Sequence, residues 1–246
     1  MKKIKLTQGA VAKVDDEDYE WLKRFRWHVH RSGRRTWYAR RFSGDRSIMM
    51  HNELLSPLPG IVVDHINHNG LDNRRANLRL CMPVDNNRNS RSRLNSTSKY
   101  KGVSLDKRRG KWRARIHRAG VEYYLGCFTN QLEAAFAYDD RARGFRDAFL
   151  YLNFPRLLAR DAVRERLART KGKIFSMQFI KRGNGELRTM KARIDEGRDM
   201  RKNAMPYEPG QRRLIVVYDV GAEGYRAVPL DGILTLNING RNYRVI

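Results

Sequence analysis

Val63 to Asn89 reads VDHINHNGLDNRRANLRLCMPVDNNRN, and the reading of this stretch decides how the chain is organised. Ile61, Val62 and Val63 form a β-branched apolar run that ends at Asp64-His65. Asn67 to Asn77 are rich in Asn, Asp, Gly and Arg, which favour local side-chain to backbone bonds and so a loop. Leu78 to Met82 reads as a second short strand. Pro83 suits the first turn of a helix, where a missing N–H costs little. The pattern predicts strand, loop, strand and helix, with Asp64 and His65 leaving the first strand and Asn86 on the helix.

Those positions carry the chemistry of phosphodiester hydrolysis, which needs a base for water and positive charge for the phosphate and leaving oxygen. His65 can take a proton near neutral pH. Asp64 and Asn86 offer hard oxygens to a magnesium or manganese ion, whose other positions water and DNA phosphate would fill.

The segments DHINHNGLDNRRANLRL and VDNNRN resemble the HNH endonucleases with a ββα-metal site, in the variety carried by phage introns and genomes. The resemblance implies His65 as general base and Asp64 and Asn86 as ligands of a divalent metal. It implies that Asn77 clamps the loop through side-chain bonds to backbone. The third letter of the motif is Asn86 here rather than His, as in the homing-endonuclease branch. His68 stands where Gly is expected and is not assigned as a ligand. His51 could lie beside the site or serve as a buried structural imidazole.

Composition sets the partner class. A net charge of +25, from 51 Lys and Arg against 26 Asp and Glu, is spread along the chain and calls for a polyanion. Double-stranded DNA is the simplest. The rival, an anionic membrane, finds no apolar run near the roughly 18 residues of a span, and no signal peptide opens the chain. Two isolated cysteines, Cys81 and Cys127, make neither a disulfide framework nor a zinc site, which fits the reducing cytoplasm of a bacterial host.

Residues 1–50 read as a β-rich lead-in. Ile4, Leu6, Val11 and Val14 alternate with polar residues, and Asp15 to Trp21 can cap and begin a short helix. Trp27 to His30 and Thr36 to Arg40 look like strands around a Ser32-Gly33 turn. His28 and His30 share a face, read as packing rather than metal. Residues 51–90 are the nuclease stretch, beginning with a short helix over Met49 to Leu55 that Ser56-Pro57 stops.

Residues 91–99 form a basic linker without apolar periodicity. Arg88 just before it, with Arg91 and Arg93, can follow a phosphate backbone. Residues 100–155 give the second strong signal. In Lys111 to His117, Lys111, Arg113, Arg115 and His117 point one way, and Trp112, Ala114 and Ile116 the other. A strand over Val121 to Phe128 places Glu122 and Tyr124 with the basic face and Tyr123 and Leu125 with the core. A helix from Gln131 to Arg143 completes a three-stranded antiparallel sheet with a helix behind. Such a sheet can enter a major groove about 12 Å wide.

The segments SKYKGVS, GKWRARI, YYLGCF, EAAFAYDDRA and NFP resemble the DNA-binding domain of plant ethylene-response factors, the APETALA type. The resemblance implies DNA contacts from Lys101, Ser104, Arg109, Lys111, Arg113, Arg115 and Tyr124. The plant domains carry Arg at the position of Ser104 and Trp at that of Arg109, so their target sequence does not transfer.

Residues 156–172 read as a basic helical linker with Leu158, Val163 and Leu167 as its stripe. From 173 to 246 the period changes to two. Strands are expected at Ile174–Lys181, Glu186–Ile194, Arg212–Asp219, Tyr225–Val228, Ile233–Ile238 and Asn242–Val245, forming a small closed barrel similar to SH3-like barrels. The fold class expected is therefore α+β and multidomain. The function expected is a metal-dependent DNA endonuclease that nicks one strand as a monomer, although a dimer could cut both. The rivals are a non-catalytic, sequence-specific DNA-binding protein with a degenerate HNH fold, and an RNA-binding or packaging accessory.

Overall fold

The computed structural model describes residues 1–32, 36–92, 95–194 and 213–246. Gly33 of the expected turn, Arg93 and the start of the expected strand at Arg212 lie outside them. The fold is mixed α and β, with several small sheets and few helices. It divides into two compact units, one of residues 1–134 with 140–151, the other of 135–139 with 152–246.

The first unit opens with β1 (Lys2–Lys5) antiparallel to β2 (Val11–Val14). Next comes α1 (Asp16–Leu22), whose first turn carries Asp16, Glu17 and Asp18 at the positive end of the helix dipole. A three-stranded sheet follows, with β3 (His28–Ser32), β4 (Thr36–Ser43) and β5 (Arg46–Met49) in that order. The third of these strands was not legible in the apolar pattern. Then α2 (Met50–Leu55) ends at Ser56, which takes a left-handed φ of 43° ahead of Pro57.

Next, β6 (Val62–His65) pairs antiparallel with β7 (Leu78–Cys81), placing Asp64 opposite Arg79 and His65 opposite Leu78. The short helix α3 (Pro83–Arg88) starts with proline in its first turn. Ile4, Val14, Leu22, Trp27, Ala39, Met50, Leu54, Val63 and Leu78 all bury in one core. The lead-in and the hairpin thus share a hydrophobic interior, which gives the 12-residue connection between β6 and β7 (66–77) a rigid base.

The basic sheet has β8 (Val103–Asp106), β9 (Lys111–Arg118) and β10 (Val121–Phe128), with β9 central. Ala114 and Ile116 are buried on one face. The register slips between Tyr124 and Gly126, where Gly126 has φ 120°. This bulge reverses the alternation, so that Cys127 pairs with Arg113. Helix α4 (Gln131–Gly144) is capped by the Asn130 side chain, which accepts from the N–H groups of Leu132 and Glu133 at 3.0 and 2.9 Å.

In the second unit, Asp139 is fully buried and accepts from the backbone N–H groups of Asn153 and Phe154. Residues 156–172 differ from the continuous helix expected. Arg156–Leu158 is a strand, β11, parallel to the last strand, and only Val163–Ala168 is α-helical, α5. The helical spacing of Leu158, Val163 and Leu167 is real, and all three reach one core. An open strand edge supplies hydrogen bonds that overrule local spacing in the first three residues. The later strands are β12 (Phe175–Ile180), β13 (Leu187–Arg193), β14 (Leu214–Asp219), β15 (Gly224–Pro229), β16 (Ile233–Ile238) and β17 (Arg241–Val245). With β11 they form a seven-stranded sheet in the order β11-β17-β16-β12-β13-β14-β15. Among the described helices, none is long and apolar enough to cross a membrane.

Candidate active site and nucleic-acid interface

The loop between β6 and β7 is held by side chains rather than by a core. Asn77 accepts from the Asn67 N–H at 3.0 Å and donates from Nδ2 to the Asp72 carbonyl at 2.7 Å, tying the two ends together. Asp72 is 2% exposed, receives both Nε and Nη2 of Arg74 at 2.7 Å, and takes Asn67 Nδ2 at 2.9 Å. The bond from Arg74 holds the Asp72 carboxyl below its usual range. Arg75 forks onto the buried Asp18 of α1 at 2.7 and 2.9 Å, and β2 bonds Leu71 and Asn73 through the Lys13 backbone. Gly70 is required where it stands, because a Cβ there would lie 2.4 Å from the Trp37 carbonyl and the Tyr38 ring.

These constraints shape a polar pocket of about 300 Å³. Asp64, His65 and Asn86 all line it, with Tyr38, His68, Asn89 and Arg91. The structure therefore brings the expected base and both expected ligands to one cavity, while Asn77 sits at the loop's base. His65 is buried, with Nε2 3.4 Å from Asn73 Oδ1. With that oxygen as acceptor, Nε2 carries the proton and Nδ1 keeps the lone pair. Burial pushes the His65 imidazole below its ordinary range, against the opposing Asn73 bond. The His51 ring lies edge-on to His65 with centroids 5.0 Å apart, and burial, assisted by His65, lowers it to about 3. His68 is lowered to about 4, first by burial and then by Arg91. All three imidazoles are thus neutral at neutral pH. His68 has φ 61°, a left-handed conformation that explains why glycine suits this position.

Asp64, the carboxylate among the described lining residues of the pocket, is 5% exposed. Arg79 donates Nε to its Oδ2 at 2.8 Å and pairs with it through Nη2 at 2.7 Å, and Asn89 Nδ2 reaches both oxygens at 2.9 Å. Oδ1 thus keeps a single donor among the described residues. Asp64 and the exposed Asn86 are a hard-oxygen set that suits a magnesium or manganese ion. Among the described residues no three His, Cys, Asp or Glu side chains gather as a metal cluster, so water and phosphate would complete such a site. Arg79 and Asn89 were missed by sequence reasoning. Asn89 stands three residues after Asn86, a spacing that puts both on one side of a helical turn. Arg79 needed the hairpin register.

Residues 56–88 match the HNH endonuclease family. That match points to nuclease or DNA-binding function and covers the loop just described. Protein 3.8 of Escherichia phage T7 is 34% identical over 79 residues, 32% of this chain and 65% of that protein. An ethylene-responsive transcription factor of Arabidopsis thaliana is 48% identical over 59 residues, 23% of this chain and 14% of its own length. An APETALA2-like protein of Oryza sativa is 36% identical over 72 residues, 29% of this chain and 17% of its own. The chain thus spans less than two thirds of each of these relatives. No solved structure matches it.

The residues expected to meet DNA divide into two groups. Arg109, Arg113 and Tyr124 line a cavity of about 440 Å³ on the basic sheet, with Asp106, Arg108, Glu122 and Cys127. Tyr124 is 60% exposed, and its hydroxyl donates to Cys127 Sγ at 3.2 Å. Cys127 reaches this face only because of the bulge. Lys111 is exposed, Arg115 pairs with Glu122 at 3.2 Å, and Ser104 pairs with Arg113 across β8 and β9. The other group is engaged near α3. Arg88 bonds Asp85 at 2.6 Å, and the Lys101 ammonium donates to the carbonyl of Arg88. Burial lowers Lys101 to about 8. Arg91 lies exposed at the pocket.

Proposed function

We propose that this chain is a metal-dependent DNA endonuclease that nicks one strand of the duplex, with His65 as general base and Asp64 and Asn86 holding a divalent cation. The single observation that carries the reading is the convergence of Asp64, His65 and Asn86 on one polar pocket. The family match over the same residues supports it. A bound magnesium or manganese ion would neutralise the scissile phosphate and the leaving oxygen. His65 Nδ1 takes a proton from water as its oxygen bonds to phosphorus and the bond to the leaving oxygen breaks. Arg91, exposed at the pocket, offers charge to the incoming phosphate. Asn77 keeps the loop closed, so that His65 and Asp64 do not reorganise during the step.

In this reading the chain is a monomer of modular build: a ββα-metal nuclease, an APETALA-like DNA-binding sheet, and a small C-terminal β domain of barrel type. The likeness to the plant transcription factors supports a DNA partner for the sheet. Incubation with supercoiled plasmid, with and without magnesium, tests the proposal. Relaxed circles that form only with the cation support it. Tight DNA binding without any nicking over a range of cations would overturn it.

A further inference from the structure

Arg79 is clamped from outside the nuclease motif. Its Nη1 donates to the Ala148 carbonyl at 2.8 Å, and its guanidinium carbon lies 4.1 Å from the centroid of the Phe149 ring. Its Nε and Nη2 meanwhile hold Asp64 Oδ2. Every nitrogen of the fork is committed. The same segment makes further contacts with the nuclease stretch. The Tyr151 N–H donates to the Arg88 carbonyl at 3.2 Å, its ring lies 5.1 Å from His68, and Asp147 bridges Arg118 at 2.9 Å and Arg88 at 3.8 Å. Residues 147–151 follow α4, at the end of the stretch that resembles a DNA-binding domain.

We infer that Ala148 and Phe149 belong to the nuclease site, as positioning residues that pin Arg79 to Asp64 Oδ2 and so leave Oδ1, which holds only the Asn89 bond, a lone pair for the cation. This rests on the nuclease reading above. The physical reason lies in competition. A guanidinium and a divalent ion seek the same carboxylate, and an arginine free to swing would sample both oxygens. Held by a carbonyl on one side and a ring face on the other, it stays on one oxygen. The DNA-binding stretch then supplies more than affinity, because its last turn sets the state of the cation ligand. A nuclease fragment ending at α3 would lack this clamp.

The test uses the full chain and Mn²⁺ alone as the probe, with free ion followed by electron paramagnetic resonance. Phe149 is only half-buried, and Phe149→Leu keeps apolar bulk while losing the ring face. It is expected to weaken Mn²⁺ binding by about 10-fold, the lower end for partners behind a metal ligand. Phe149→Tyr, which keeps the ring, recovers that loss. In an Arg79→Ala background, Phe149→Leu causes no further change, because the effect runs through Arg79. Equal Mn²⁺ affinity in Phe149→Leu and the parent chain, or effects that simply add, would overturn the inference. A purely structural role lowers the melting temperature but leaves Mn²⁺ affinity per folded molecule unchanged, which also overturns it. A parent chain that binds no Mn²⁺ sinks the nuclease reading as well. One that binds normally, with Phe149→Leu unaffected, sinks only the clamp.

Discussion

The β6–β7 hairpin with its loop and the basic sheet β8–β10 both carry proposed site residues, yet they are stabilised in opposite ways. In the loop and the ends of β6 and α3 beside it, polar side chains are buried: Asp64, His65, Asp72, Asn73, Asn77 and Asn89 are all 7% exposed or less. Bonds there hold the loop and the proposed site residues in one arrangement. In the sheet, Ala114 and Ile116 anchor one face, and the charges of Lys111 and Arg113 stand on the other. A strand gets its orientation from the pleat, so its functional residues need few partners. Chemistry at one phosphorus demands a rigid, desolvated constellation. Groove reading demands a row of donors at regular spacing, which side chains can adjust. The loop should therefore fail sharply when one bond is lost, and the sheet gradually.

The largest effect expected is at His65. His65→Ala should lower nicking by about 10²- to 10⁴-fold, the usual loss for a general base, while gel-shift affinity for DNA stays near that of the parent. A folded variant that nicks at the parent rate would remove the loop's claim to be the reactive region.

Asn77→Ala tests whether the loop depends on single bonds. The Asp72 carbonyl loses its partner in a buried bond, worth about 1–3 kcal/mol when left unsatisfied, and the Asn67 N–H loses a part-buried one. A lowered melting temperature should accompany the loss of nicking. Unchanged stability would mean that the loop is closed by Asp72 and Arg74 instead.

On the sheet, Arg113→Ala should relax base preference at particular positions by about 1–3 kcal/mol each, measured by binding-site selection at fixed salt. A uniform loss across all sequences would make the sheet an electrostatic anchor only. The contrasting change is Arg91→Ala at the pocket. It should weaken every sequence alike and reduce the salt slope by about 0.9 for a lost phosphate contact.

Acid provides a gentler probe of the same contrast. His51 and His68 are held at about 3 and about 4 in the folded chain, and His65 is also lowered. Unfolding raises each towards about 6.5, so the unfolded state binds more protons below that value. Stability should be level above about pH 7 and fall as the pH drops from about 6.5 towards 4. Hydrogen exchange should show the loop opening before the sheet. A melting temperature that rises over that interval would contradict the buried, neutral imidazoles.

Much of this was written locally. The run Ile61–Val63, the Asn- and Asp-rich turn and Pro83 announced the hairpin and helix. The alternation in Lys111–His117 announced the basic face. Period-two apolar spacing marked most of the C-terminal strands. These signals are short-range, since they depend on chain geometry and the preferences of neighbouring residues. What tertiary structure alone decided is of another kind. The register of β6 on β7 put Arg79 beside Asp64, and the return of residues 147–151 placed Ala148 and Phe149 on that arginine. The bulge at Tyr124 moved Cys127 to the basic face, and β11 paired with β17 where spacing pointed to a helix. Each depends on which distant groups were left needing a hydrogen bond or an opposite charge. Even Asp64 and Arg79, 15 residues apart in one stretch, are not paired by any local pattern, so only the folded chain could choose such partners.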